Sequence, residues 1–154
     1  MIGVCLALLT SASPRLEPGS LITLPPHVGV VFSTSEPVGV ALFLPWVVRL
    51  SSDEAPFFRP SQLVIEAGAV FRGQASFATR LALRWLRVPL DWLALGGGLG
   101  MGLEAGATLR PVSSLELVAR LGKGPTGFAL ISTRAELRMD GTTAFVIAAG
   151  ATYW

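Results

Sequence analysis

The chain has 154 residues, of which 14% are charged, and carries a formal net charge of +2. That length suits one domain, the charge density is well below the roughly 25% usual for a soluble domain, and so small a net charge gives no electrostatic case for a nucleic-acid partner. The mean hydropathy of +0.60 suits a membrane protein, yet the longest uncharged apolar stretches, such as Pro37 to Val48 and Trp92 to Leu103, fall short of the roughly 20 residues a spanning helix needs.

A chain that meets lipid without spanning helices must close its backbone hydrogen bonds as a barrel. Residues 1–19 come first, a signal-like or apolar N-terminal segment. In it, Ile2 to Leu9 is followed by Thr10, Ser11, Ala12 and Ser13, small residues of the kind a signal peptidase accepts, with no basic region before them. Cys5 is the single cysteine, which excludes an intrachain disulfide.

Residues 20–154 read as one β domain, because apolar and polar residues alternate with the period of a strand. The first run, Ile22 to Ser33, sets Ile22, Leu24, Val28, Val30 and Phe32 against Thr23, His27, Gly29 and Ser33, and Pro25 with Pro26 marks an edge or a late start. Val38 to Leu50 follows, with Val38, Val40, Leu42, Leu44, Trp46 and Val48 on one face; Pro45 predicts a bulge. Leu63 to Phe71 opposes Leu63, Ile65, Ala67, Ala69 and Phe71 to Gln62, Glu66, Gly68 and Arg72. Phe77 to Trp85 opposes its apolar set to Ser76, Arg80 and Arg84.

Leu99 to Leu109 alternates longest, against Gly98, Gly100, Gly102, Glu104, Gly106, Thr108 and Arg110. Leu115 to Leu121 opposes Glu116 and Arg120, and Ala129 to Leu137 opposes Ser132, Arg134, Glu136 and Arg138. The last run, Thr142 to Trp154, follows Asp140-Gly141, a strong two-residue hairpin signal. Turns are expected at Thr34 to Pro37, Ser51 to Pro60, Arg72 to Gln74, Arg87 to Asp91, Arg110 to Ser113 and Gly122 to Gly127. The fold class is therefore all-β, an antiparallel up-and-down transmembrane β-barrel of about eight strands.

Alternation alone does not say which face points outward. The polar face decides it: water would favour a face rich in Lys, Glu, Asn and Gln, whereas this face is Gly, Ala, Ser and Thr punctuated by Arg and Glu, and 11 of the 12 basic residues are Arg. An eight-stranded interior is just wide enough for side chains to fill, so Gly98, Gly100, Gly102 and Gly106 are expected to make room for neighbouring Arg. Glu66, Glu104, Glu116 and Glu136 are the expected partners of Arg80, Arg84, Arg110, Arg120, Arg134 and Arg138, since desolvated charges must be paired. Trp46, Trp85, Trp92, Tyr153 and Trp154 lie toward strand ends, where a membrane-interface girdle places aromatics.

On these features the segment from Ser20 to Trp154 resembles bacterial outer-membrane β-barrel proteins, in particular the small eight-stranded OmpA-like and OmpX-like barrels. The ending Phe145 to Trp154 is similar to their C-terminal insertion signal, an alternating strand closing on an aromatic. The resemblance implies an outer-membrane location, the lipid bilayer as partner and passage through the insertion machinery. Its sidedness departs from theirs, because the short connections fall where such barrels carry long external loops.

Residue types give no case for an enzyme, a cofactor or a metal. His27 is the only histidine, and the Gly96 to Gly102 cluster lacks the Lys-Ser/Thr of a phosphate loop. Three functions stay open at this point: a structural, adhesion or interaction barrel with an Arg/Glu-filled lumen; a narrow porin-like pore; and a soluble lipocalin-like barrel holding an apolar ligand.

Overall fold

The computed structural model describes residues 19–51, 59–90, 92–122 and 129–152, without the side chains of 88 and 89. The signal-like segment up to residue 18, and Tyr153 and Trp154 of the expected insertion signal, lie outside the described residues. Nine strands follow one another: β1 (Leu21–Thr23), β2 (His27–Ser33), β3 (Gly39–Arg49), β4 (Gln62–Arg72), β5 (Gln74–Leu90), β6 (Leu93–Ala105), β7 (Leu109–Leu121), β8 (Ala129–Arg138) and β9 (Thr143–Gly150). β2 to β9 each pair antiparallel with the next, and β9 returns to β2, which closes an eight-stranded up-and-down barrel with β1 as the broken start of the first strand.

The registers fix the stagger of this closure. Val48 pairs with Leu21 on one side. In the other direction the row runs through Leu63, Leu83, Leu99, Leu115, Ala135 and Phe145 to Phe32. One circuit thus climbs from Leu21 to Phe32 on the same strand, and the break at Pro25–Pro26 absorbs one of those steps. Such a stagger tilts the strands by roughly 40° and leaves an interior only wide enough for side chains.

The alternation read from sequence places its faces correctly along β2 to β9. Val28, Val30 and Phe32 are exposed, as are Leu81, Leu83, Leu99, Met101, Leu115 and Leu117, while Glu66, Arg80, Arg84, Glu116, Arg134 and Arg138 are buried. Asp140-Gly141 makes the expected hairpin, with Gly141 at φ 82 and the Asp140 carboxylate accepting from the backbone N–H and hydroxyl of Thr142.

Four local readings need correction, the first being the turn placed at Arg87 to Asp91: β5 continues through Arg87 to Leu90, which pairs with Leu93, so the chain reverses only after Leu90. Ile22 and Leu24 do not share the outward face of Val28: Leu24 is buried with Val47, Val64 and Ala82, because the slip at Pro25–Pro26 turns the strand over. The bulge expected at Pro45 is absent from the β3–β4 ladder, where Pro45 stays in register with Glu66; the irregularity falls on its other side, at the proline break. The turn placed at Arg110 to Ser113 lies instead at residues 106–108, and Arg110 to Ser113 is regular β7. Gly106 therefore belongs to a turn and not to the lumen.

The turns separate into two groups. Those at residues 34–38, 73, 106–108 and 139–142 are short and occupy one end, called here the turn end. The other, terminal end carries β1, the end of β9 and the longer connections between β3 and β4 and between β7 and β8.

Gly100 shows how tightly the interior is filled. A Cβ there would stand 2.9 Å from Arg80 Nε, Ser114 Oγ and Ala82 Cβ. Gly100→Val is expected to destabilise the barrel by about 1–3 kcal/mol, read as a lower urea midpoint, whereas Met101→Val on the exposed face of the same strand should leave the midpoint nearly unchanged.

Candidate functional site: the charged lumen

Strand parity sends the charges inward, and the stagger then decides which of them meet. At mid-height, Arg80 of β5 donates from Nη1 to Glu66 Oε2 at 3.1 Å, from Nη2 to Glu116 Oε2 at 3.0 Å and from Nε to Ser114 Oγ at 3.0 Å. Arg84, two inward positions further along β5 with Ala82 between, donates Nη2 to Glu116 Oε1 at 3.0 Å. From the opposite wall Arg134 of β8 donates Nη1 to Glu66 Oε2 at 2.7 Å, sets its Nε 2.8 Å from Glu136 Oε1 and lies 4.6 Å from the Phe43 ring centroid. Glu116 is 0% exposed. A carboxylate so far from water persists only because two guanidinium groups neutralise it and its lone pairs are used.

A second storey closes the turn end. Glu36, on the β2–β3 turn, accepts from Arg110 through Oε1 and from Arg72 and Arg138 through Oε2. Glu104 of β6 accepts from Arg72 at 3.2 Å, from Arg138 at 3.0 Å and from the Ser76 hydroxyl at 2.9 Å. Between the storeys is a void of only about 30 Å³, lined by Glu66, Arg80, Glu104 and Arg134 among others. That is room for only a few water molecules. Toward the terminal end Leu86, Ala94, Val118 and Leu130 pack into an apolar plug on the β5–β8 wall.

Most of the expected network is therefore assembled: Glu66 with Arg80 and Arg134, Glu104 with Arg138, Glu116 with Arg80 and Arg84, and Glu136 with Arg134. Arg110 departs from it, pairing with Glu36 and, at 3.9 Å, Asp140. Arg120 lies half-buried on the inward face of β7 at the terminal end. Glu36 and Arg72, both read from sequence as turn residues, are full members. Arg72 had a signal, since it shares the inward parity of Glu66; Glu36 had none, because no strand phase reaches it. Of the girdle aromatics, Trp46 and Trp85 face outward half-buried and Trp92 is exposed in the β5–β6 turn. Gly98 gives its space to the Glu116 carboxylate, and Gly102 is instead packed against the backbone of Thr79.

His27 is buried on the inward face of β2, its ring against Gly150 and hydrogen-bonded to the Ala151 backbone. Among the described residues no group of His, Cys, Asp and Glu is arranged to hold a metal. The chain matches no protein-family model, no curated protein and no solved structure.

Two outcomes follow from the network. Glu116→Gln leaves Arg80 and Arg84 without their shared counter-charge and should cost about 3–5 kcal/mol in unfolding free energy, far more than Asp140→Asn at the exposed turn. Glu36 reports on pH. Burial alone would raise its pKa, but the Arg110 hydrogen bond and the charges of Arg138 and Arg72 outweigh it and hold the carboxyl below its ordinary 4.5. A depressed folded-state pKa adds stability that is present above the unfolded value and lost as pH falls through the folded one. Urea midpoints should fall below pH 4.5, and Glu36→Gln should remove part of that fall.

Proposed function

We propose that this protein is an integral outer-membrane β-barrel of a bacterium, with a structural, adhesion or interaction role and a lumen sealed by its own ion pairs. One observation carries the reading: the polarity of the barrel is inside out. Among the described strand residues every charged side chain lies on the inward face except Arg87, at the terminal rim. The outward face is a belt of exposed Leu, Val, Ile, Phe and Met that includes Val40, Leu42, Leu81, Leu99, Met101, Leu115, Leu117, Ile131 and Ile147. Soluble monomers rarely expose apolar patches beyond a few hundred Å², and here the patch encircles the molecule. Hydrocarbon is the solvent that such a face suits.

The aromatics support the same reading. Phe32 pairs with Phe145, and Phe71 and Phe77 flank the β4–β5 hairpin, all at the turn end. Trp46, Trp85 and Trp92 stand at the terminal end. Two aromatic girdles separated by an aliphatic belt are the pattern of a spanning barrel.

The interior favours a sealed barrel over a pore or a carrier of apolar ligands. Its mid-height is occupied by Arg80, Arg84, Arg134, Glu66 and Glu116, and the void beside them is about 30 Å³. A non-enzymatic role is part of the proposal, with the one histidine, His27, buried in the wall beside Gly150. Insertion by the outer-membrane assembly machinery is part of the proposal.

Leu115, mid-strand and 57% exposed, provides the test. In a bilayer Leu115→Arg should cost about 2–4 kcal/mol and reduce the fraction that folds into vesicles, seen as loss of the faster-migrating band in unboiled electrophoresis. In a water-soluble barrel the same change would be neutral, and the wild type would fractionate without detergent and show no heat-dependent band shift. Vesicles containing the folded wild type should show no conductance above baseline; a steady channel would favour the pore.

A further inference from the structure

The turn end holds a feature that sealing the lumen does not require. Above the Glu36 storey opens a recess of about 180 Å³, lined by Arg72, Arg110, Glu36, Glu104, Gln74 and Ser76 among others. Its volume is below the several hundred Å³ typical of pockets for drug-sized ligands, so its occupant is small.

The two arginines on its wall are presented with donors to spare. Arg72 uses both N–H groups of Nη1 on Glu36 and Glu104. Arg110 uses Nε on Thr108 Oγ1 and Nη1 on Glu36. Among the described residues, the Nη2 of each makes no hydrogen bond. Both guanidinium groups are tied to the single Glu36 carboxylate, one through each oxygen, so their spacing and orientation are set before any ligand arrives. The recess itself is lined by two arginines and the two glutamates Glu36 and Glu104; Arg138, which pairs with both glutamates, and Asp140, 3.9 Å from Arg110 Nε, do not line it, so the site rests on the unused Nη2 donors and not on an excess of positive charge.

We propose that this recess binds a small oxyanion, a phosphate or a carboxylate, bridged between the free edges of Arg72 and Arg110. The guanidinium fork matches both groups in a way a point charge does not. Gln74, Ser76 and Thr108 surround the site with further hydrogen-bonding groups. The source is either a free solute or the headgroup of a lipid at the barrel mouth, since either presents the same oxygens. The site depends on the closed barrel alone, so failure of the membrane reading and failure of this one are separate events.

The test is calorimetric titration of inorganic phosphate and of acetate into the full chain folded in a zwitterionic detergent, with chloride keeping ionic strength constant. Saturable binding is expected, weakened at least tenfold in Arg110→Gln, while Thr142→Ala at the same end binds as wild type. Arg110 is more than a third exposed at its side chain, so the variant should keep the folded band in unboiled electrophoresis. In vesicles rich in phosphatidylglycerol, loss of soluble-phosphate binding assigns the oxyanion to the lipid headgroup, and retained binding assigns it to a solute. Absence of saturable binding in detergent, or equal binding by Arg110→Gln, would overturn the proposal.

Discussion

Closing eight strands on one another removes every sheet edge, and it also confines the inward side chains to a tube with almost no free space. Everything inside must then be matched by everything else inside. Glu116 shows the consequence most clearly: fully buried, it is tolerable only with Arg80 and Arg84 against it, and those arginines reach it only because Gly98 and Gly100 on the adjacent strand carry no side chain. Removing either the carboxylate or the space beside it leaves a buried charge unmatched. Ion pairs of this kind are weak evidence for stability but are costly to break singly, which makes the lumen a specification of register as much as a source of binding energy. A one-residue slip of β5 against β6 would place Arg80 opposite Met101 or Leu103 and turn its side chain out of the tube.

The same constraint explains the outer face. Because the interior accommodates the charges, the exterior is left largely apolar around the circumference, the reverse of the arrangement in which a soluble protein buries the apolar face of a sheet. The two faces are thus one decision made along each strand. Apolar residues line part of the lumen as well: Leu86, Ala94, Val118 and Leu130 toward the terminal end, and Val31, Phe43, Val70 and Val146 on the wall formed by β2, β3, β4 and β9.

Much of this was legible in the sequence, for a physical reason. The outward residues differ sharply from the inward ones, so a period of two survives even where Gly and Ala blur it. The errors are equally instructive. The turn at residues 106–108 was invisible because a three-residue connection preserves parity: odd positions face outward in both β6 and β7, and the pattern runs through the reversal unbroken. Ile22 and Leu24 were misplaced because two prolines hide a one-residue slip that flips the strand. Which Glu meets which Arg could not be read at all. That depends on the stagger of the closed barrel, a property of all eight strands together, and it is why Glu36, carried on a turn, emerges as the clamp of three arginines only in three dimensions.

The claim on which the rest of the functional reading stands is that the belt around β2 to β9 meets hydrocarbon. Nitroxide labels at Met101→Cys and Leu117→Cys, in a Cys5→Ser background in phospholipid vesicles, measure this directly through their collision rates with dioxygen and with a water-soluble nickel chelate. Labels at both sites should favour dioxygen strongly, while a label at Asp140→Cys in the exposed hairpin favours nickel. Equal access of the nickel chelate to all three positions would contradict a bilayer around this barrel.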